Sequence, residues 1–173
     1  FVLVGHELHR EVYDHQFMDC PYTTNSISYE ITETSNKTYP QTKLYHTYVK
    51  ENIDFVYEKH AHDPLVNHFF TLKVDEFNHT LQSCKVAYPR RIPLISEQGV
   101  LYCTAEEAII RNQKEVGKAL MLGIPVENKS FEVSGLKKPA KRYFKFEEIK
   151  KQIILGNELM NPTPYTSSPK PGE

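Results

Sequence analysis

The sequence predicts a mainly β fold: antiparallel sheet built from hairpins, with one short helix near the C-terminus. Three observations carry that prediction. Apolar residues recur at every second position through several runs, which is the period of a half-buried strand. The chain holds 11 Tyr and 9 Phe, and aromatic side chains suit a pleated, half-buried surface. One late segment instead spaces its apolar residues at three and four, the helical period.

The elements follow in chain order. Val2, Leu3 and Val4 form a short apolar run closed by Gly5, which residues 6 to 13 extend as a strand until Pro21 breaks the pattern. In residues 24 to 34, Ile27, Tyr29 and Ile31 share one face and Ser28 and Glu30 the other. Ser35, Asn36 and Lys37 read as a turn. Residues 42 to 49 alternate again through Leu44, His46 and Tyr48. Glu51 and Asn52 suggest a tight connection before a third run with Ile53, Phe55 and Tyr57.

The clearest local signal is a hairpin. Val66, His68, Phe70, Leu72 and Val74 stand at period two, as do Cys84, Val86 and Tyr88. Residues 75 to 80 between them carry turn chemistry, with Asn78 expected in the left-handed position. Arg90, Arg91 and Pro93 end the unit. Val100, Tyr102 and Thr104 alternate as a strand. Residues 105 to 120 stay open between helix and strand. Thr104 and Glu107 have capping-box spacing, and Ala108, Ile109, Val116 and Ala119 fit one helical face, so local propensity favours helix there. Residues 126 to 133 read as a strand. Residues 146 to 155 read as an amphipathic helix with Phe146, Ile149, Ile153 and Ile154 inward and Gly156 as its terminator.

The 173 residues fit one domain or a slightly extended one, large enough for a core without staples. A formal charge of -1, from 21 basic and 22 acidic residues, argues against a nucleic-acid partner, which draws a basic excess. No apolar run approaches the roughly 20 residues of a membrane span. Only 7 Gly are present, so Asn is expected at some positive-φ positions. The opening at Phe1 and the Pro-rich end suggest a piece of a longer protein, folded over residues 1 to 160 with an extended tail from 161 to 173.

Cys20, Cys84 and Cys103 are the only cysteines. An odd count at wide spacing suits neither a disulfide framework nor a zinc site, and three buried or half-buried free thiols are the expectation. His60, His62, Asp63 and His68 are the strongest metal-ligand candidates, since first-row metals accept imidazole and carboxylate. The Asp63-Pro64 step, however, favours a turn. His6, Glu7 and His9 lack the four-residue His spacing of a helical zinc motif. Three Asn-X-Ser/Thr sequons, at Asn36, Asn78 and Asn128, mark polar, turn-like sites. Lys137, Lys138, Lys141 and Arg142 read as a solvated basic loop.

A further run is specific. Tyr57-Glu58-Lys59, Asp63-Pro64, His68, Thr71 to Phe77 and Val86-Ala87-Tyr88-Pro89-Arg90-Arg91 together resemble the middle-to-C-terminal segment of the B component of bacterial Tc (insecticidal) toxin complexes. Gly5, Arg10 to Tyr13 and Pro21-Tyr22 are similar to the family's leading segment. Ile124 to Glu127, Phe131 to Val133 and residues 144 to 149 are similar to its closing one. Lys59 and Leu65 stand where the family carries Arg, and Asn78 where it carries Gly.

The resemblance implies a non-catalytic structural role in a β-rich shell related to Rhs and YD-repeat proteins. That shell, closed with the C component, holds a cytotoxic effector. It implies secretion as part of a larger toxin and partners in the rest of the B component and the C component. No catalytic residue, cofactor or metal is expected. The alternative is a stand-alone metal-dependent hydrolase or ligand-binding β module using His60, His62 and Asp63.

Overall fold

The structure is a computed structural model that describes residues 2–16, 18–35, 43–58, 60–113 and 120–159. The chain forms two compact units, Phe1–Gly135 and Leu136–Glu173. The expected tail from 161 lies outside the described residues.

The first unit is one antiparallel sheet of seven strands whose spatial order is their chain order. They are β1 (His9–Val12), β2 (Thr23–Ser35), β3 (Lys43–Val56), β4 (Leu65–Val74), β5 (Thr80–Tyr88), β6 (Tyr102–Gln113) and β7 (Met121–Glu132). The predicted fold class is the observed one. Among the described residues, no helix is long and apolar enough to cross a membrane.

Register decides which side chains meet, because residues paired across a ladder share a face. One row runs Ser26, Ile53, His68, Val86, Cys103. The next runs Ser28, Glu51, Phe70, Cys84, Ala105, Phe131. Val66, His68, Phe70, Leu72, Cys84, Val86, Tyr88, Cys103 and Ala105 are buried, so the core of this unit lies on that face of β4 to β6. The opposite face carries a polar row, Asn25, Asp54 and Asn67, across β2 to β4. There the Asn25 amide donates to Asn52 Oδ1 at 2.6 Å and to Asp54 Oδ1.

The predicted hairpin forms, pairing Val66 with Tyr88 and Val74 with Thr80, but its register shifts between Thr71 and Lys73 and again between Lys73 and Val74, which the strict alternation did not anticipate. Asn78 has φ of 66°, in the left-handed region. Its side-chain amide also reaches the Thr47 carbonyl of β3 at 3.4 Å.

Several local expectations are corrected. Glu51 and Asn52 make no turn; β3 runs unbroken past them. The mismatch is absorbed by a bulge at Lys50, since Ser28 faces Glu51 and Tyr29 faces Val49. Residues 105–113 are strand, not helix: Ala105 to Glu107 pair with both β5 and β7, the rest with β7 alone, and these ladder bonds outweigh local helix propensity. The Thr104–Glu107 pair caps nothing, and Glu107 accepts from the Gln82 amide at 3.0 Å. Residues 114–119 lie outside the described residues.

The N-terminal strand is only four residues long. Residues 2 to 5 turn back through a bond from His6 N to the Leu3 carbonyl at 3.1 Å. β7 begins five residues earlier than residue 126. Asn128 therefore sits mid-strand, opposite Ala108, and not in a turn; Asn36 lies outside the described residues.

In the second unit, α1 (Phe146–Leu159) buries Ile149 and Ile153. Lys145 is its N-cap: Glu148 reaches back to the Lys145 N–H at 2.9 Å, half of a capping box. Glu147 and Glu148 in the first turn complement the helix dipole. Gly156 does not end the helix, which continues to Leu159 because glycine costs helix stability without forbidding it. The Gln152 amide clamps Lys137 at both its N–H (2.7 Å) and its carbonyl (3.4 Å).

The turn gives a direct test. Asn78→Val should lower stability by about 1–2 kcal/mol, because a β-branched residue resists the left-handed region. Asn78→Gly should stay close to wild type in a thermal melt. Equal melting of both variants would contradict the assigned turn.

Candidate functional site

The densest polar cluster sits at the tip of the β4–β5 hairpin. Asp75 Oδ1 accepts from the backbone N–H of Phe77 (2.9 Å) and His79 (2.8 Å). Its Oδ2 accepts from His79 Nδ1 (2.9 Å) and the Asn112 amide (2.8 Å). Asn112 Oδ1 in turn accepts from Gly123 N at 2.8 Å. Burial opposes the charge on Asp75, but these four hydrogen bonds outweigh it and hold the carboxyl well below the usual carboxylate range.

Gly123 completes the cluster. Its φ is 72°, and a Cβ there would stand 2.8 Å from His79 Nε2. A glycine bulge in β7 thus lets the imidazole lie on the backbone. One carboxylate ties two hairpins together, and its chemistry is structural.

A second set of ties closes the other end of the sheet. Arg90, just past β5, meets Glu58 at 2.5 Å. Asp63 accepts from the backbone N–H of Arg91 (2.9 Å) and Ile92 (3.2 Å). Tyr57 N donates to the Tyr22 carbonyl at 2.9 Å. The Tyr-Glu, Asp-Pro and Arg-Arg steps, separate in sequence, meet here in space.

The buried face carries titratable groups as well. His68 Nδ1 lies 3.2 Å from the Tyr88 hydroxyl, and its Nε2 lies 3.5 Å from Glu51. The Phe70 ring lies tilted against the imidazole, with centroids 3.9 Å apart. Cys84 and Cys103 sit one row apart on adjacent strands, as His68 and Tyr88 do. Their thiols are hydrogen-bonded; that bond, then burial, pushes Cys84 up out of the ordinary thiol range. Diagonal neighbours stand about 7–8 Å apart at Cα, beyond easy disulfide reach. The expected buried thiols are present, and all three cysteines are free.

The sequence candidates are scattered. His60 and His62 are exposed in the β3–β4 connection. Asp63 is spent on the loop ties, and His68 is inside the sheet. His6 packs on the Tyr29 ring at 4.8 Å, and Glu7 pairs with Arg10 at 3.5 Å. Among the described residues, no group of three or more His, Cys, Asp or Glu side chains is gathered to hold a metal ion.

Pattern reading missed one arrangement. Ser26 Oγ lies 2.9 Å from His9 Nδ1, His9 Nε2 lies 3.1 Å from Glu11, and the Tyr13 hydroxyl donates to Glu11 at 2.7 Å. Tyr13 first, and then His9, hold the Glu11 carboxyl below its ordinary value. The β1–β2 register, which sets His9 opposite Ser26, was the missing signal. The order Ser–His–Glu is that of a hydrolytic relay. Yet His9 and Glu11 are 52% and 43% exposed, so water competes for every contact. The shallow groove of about 450 Å³ lies elsewhere, across β5 to β7.

What these features define is a meandering antiparallel sheet pinned at both ends, a module shared with structures of Tc toxin complexes. The crystal structure of TcdB2–TccC3 matches with a TM-score of 0.67 and 22% identity, over 81% of this chain and 8% of that one. The Photorhabdus luminescens Tc holotoxin pore matches with a TM-score of 0.66 and 20% identity, over 83% of this chain and 8% of that one. A third match, at 0.63 and 22%, covers 74% of this chain and 7% of TcdB2–TccC3–Cdc42.

At these identities the likeness establishes the fold. The sequence establishes the family: residues 2–124 match the insecticide toxin TcdB middle/C-terminal region, and the chain belongs to that family, a segment of a Tc-toxin B component. It spans less than a tenth of the length of the chains it matches. No curated protein matches it.

The Asp75 cluster predicts a pH dependence. A depressed native pKa contributes stability that is complete above the unfolded Asp value of about 3.9 and is lost as pH falls through the native value. Asp75→Asn should therefore cost about 1–2 kcal/mol at pH 7. The gap to wild type should narrow as pH drops below about 4. Urea unfolding of both proteins at several pH values checks this; a gap constant with pH would contradict it.

Proposed function

We propose that this chain is a non-catalytic wall segment of a Tc-toxin B component. In this reading it contributes to the β-rich shell that closes with the C component around a cytotoxic effector, and it is secreted within that larger toxin. The observation that supports it best is the sheet itself. Seven strands in chain order leave β7, a 12-residue strand, at one edge. Long edges are a liability in a free domain and an asset in a wall that continues beyond them. Family membership and the matches to TcdB2–TccC3 point the same way.

A Tc-toxin B component carrying this segment, assembled with its C component, tests the reading. Phe70 is fully buried. Phe70→Asp puts a charge into the wall and should make the enclosed effector protease-sensitive. Unchanged protection of the effector would refute the wall role.

The competing reading is a hydrolase, either metal-dependent through His60, His62 and Asp63 or serine-based through Ser26 and His9. The scattered histidines and the exposed relay count against both. Zinc titration should show no tight equivalent, and a fluorophosphonate probe should leave Ser26 unlabelled. One tightly bound zinc, lost in His62→Ala, would promote the metal hydrolase; specific labelling of Ser26 would promote the other.

A further inference from the structure

The β5–β6 connection, residues 89–101, has little regular structure beyond the 3-10 turn Ser96–Gly99, yet it is firmly held. Arg90 N donates to the Gln98 carbonyl at 2.8 Å. Leu94 N donates to the Gln98 side chain at 2.8 Å. Asp63 takes the N–H groups of Arg91 and Ile92, and Glu58 takes the Arg90 guanidinium. Every one of these ties is polar. The apolar side chains are left over: Leu94 is 83% exposed, Ile92 69%, Ile95 58% and Val100 50%.

Single exposed apolar residues are ordinary on a protein surface. Four within residues 92 to 100 concentrate exposed apolar surface in one pinned loop. Ordering a loop costs conformational entropy. Here polar contacts within the loop and to Glu58 and Asp63 offset that cost, so these apolar side chains are presented on a loop already held for a contact.

We propose that residues 92–100 are an anchor that packs on another segment of the same Tc-toxin B component; this rests on the wall reading above. Two observations select that occupant. The chains that this one matches are more than ten times longer than the matched region, so most of such a component lies outside it. The loop also carries little charge, with one Arg91 and one Glu97 of opposite sign beside these side chains. A partner arriving from solution is steered by complementary charge, whereas permanent contacts are the more hydrophobic ones.

Hydroxyl-radical footprinting read by peptide mass spectrometry tests the anchor in three samples: this chain alone, a B component containing it, and that component with its C component. Leu94, Ile92 and Ile95 should react several-fold less in the B component alone than in the isolated chain, with no further change when the C component is added. Equal reactivity in the first two samples overturns the proposal. So does protection that arises only with the C component.

Leu94→Asp supplies an independent readout. It should lower the melting temperature of the B component by several degrees and leave that of the isolated chain unchanged. An equal fall in both would make the loop a folding element of this segment and overturn the anchor. Failure of the wall reading is distinguishable, because it would appear as a digested effector while the loop stays protected.

Discussion

The structure depends on one constraint: the antiparallel register of β4, β5 and β6, unbroken from Val66 to Thr71 and across β5 to β6. A slip of one residue sends every side chain of a strand to the other face. Here it would turn Phe70, Cys84 and Val86 away from the core face and bring Asn67 and Lys85 onto it. The Asp75 cluster stands at the closed end of the central hairpin, where the register is set. Its carboxylate fixes the turn from inside through Phe77 and His79 and from outside through Asn112. The Glu58–Arg90 and Asp63 ties hold the opposite end. Polar contacts thus position a sheet whose stability comes from its apolar face.

The sequence was informative where strand period and burial coincide. The β4–β5 hairpin and its left-handed Asn78 could be read because one face is buried and the turn chemistry is local, although the register shifts between Thr71 and Val74 could not. It misled where pairing with a neighbour overrode local preference. Residues 105–113 have helix-forming composition, but the β7 ladder along the segment, joined by β5 as far as Glu107, satisfies the backbone as strand. Glu51 and Asn52 have the chemistry of a turn, but a bulge at Lys50 costs less than breaking the long β2–β3 ladder.

Clusters were harder to read than strands. The metal candidates were chosen by residue type within one short stretch, and the fold separates them: His60 and His62 to a surface loop, His68 to the interior. The contacts that do form join residues 37 apart, as in Asp75 and Asn112, or 32 apart, as in Glu58 and Arg90. No periodicity predicts those meetings. Only the family resemblance had picked out Glu58, Asp63 and Arg90 together, without showing that they touch.

The meander has a consequence for how the segment is made. Each strand pairs only with the strands before and after it in the chain. The loop that must close to form each pair is short, so the entropic barrier to each pairing is small for a β protein. Assembly can then follow synthesis from the N-terminus, each new strand finding a template already in place. No strand has to wait for a distant partner. In a very long polypeptide, that vectorial order shortens the time any edge stays open to a wrong neighbour.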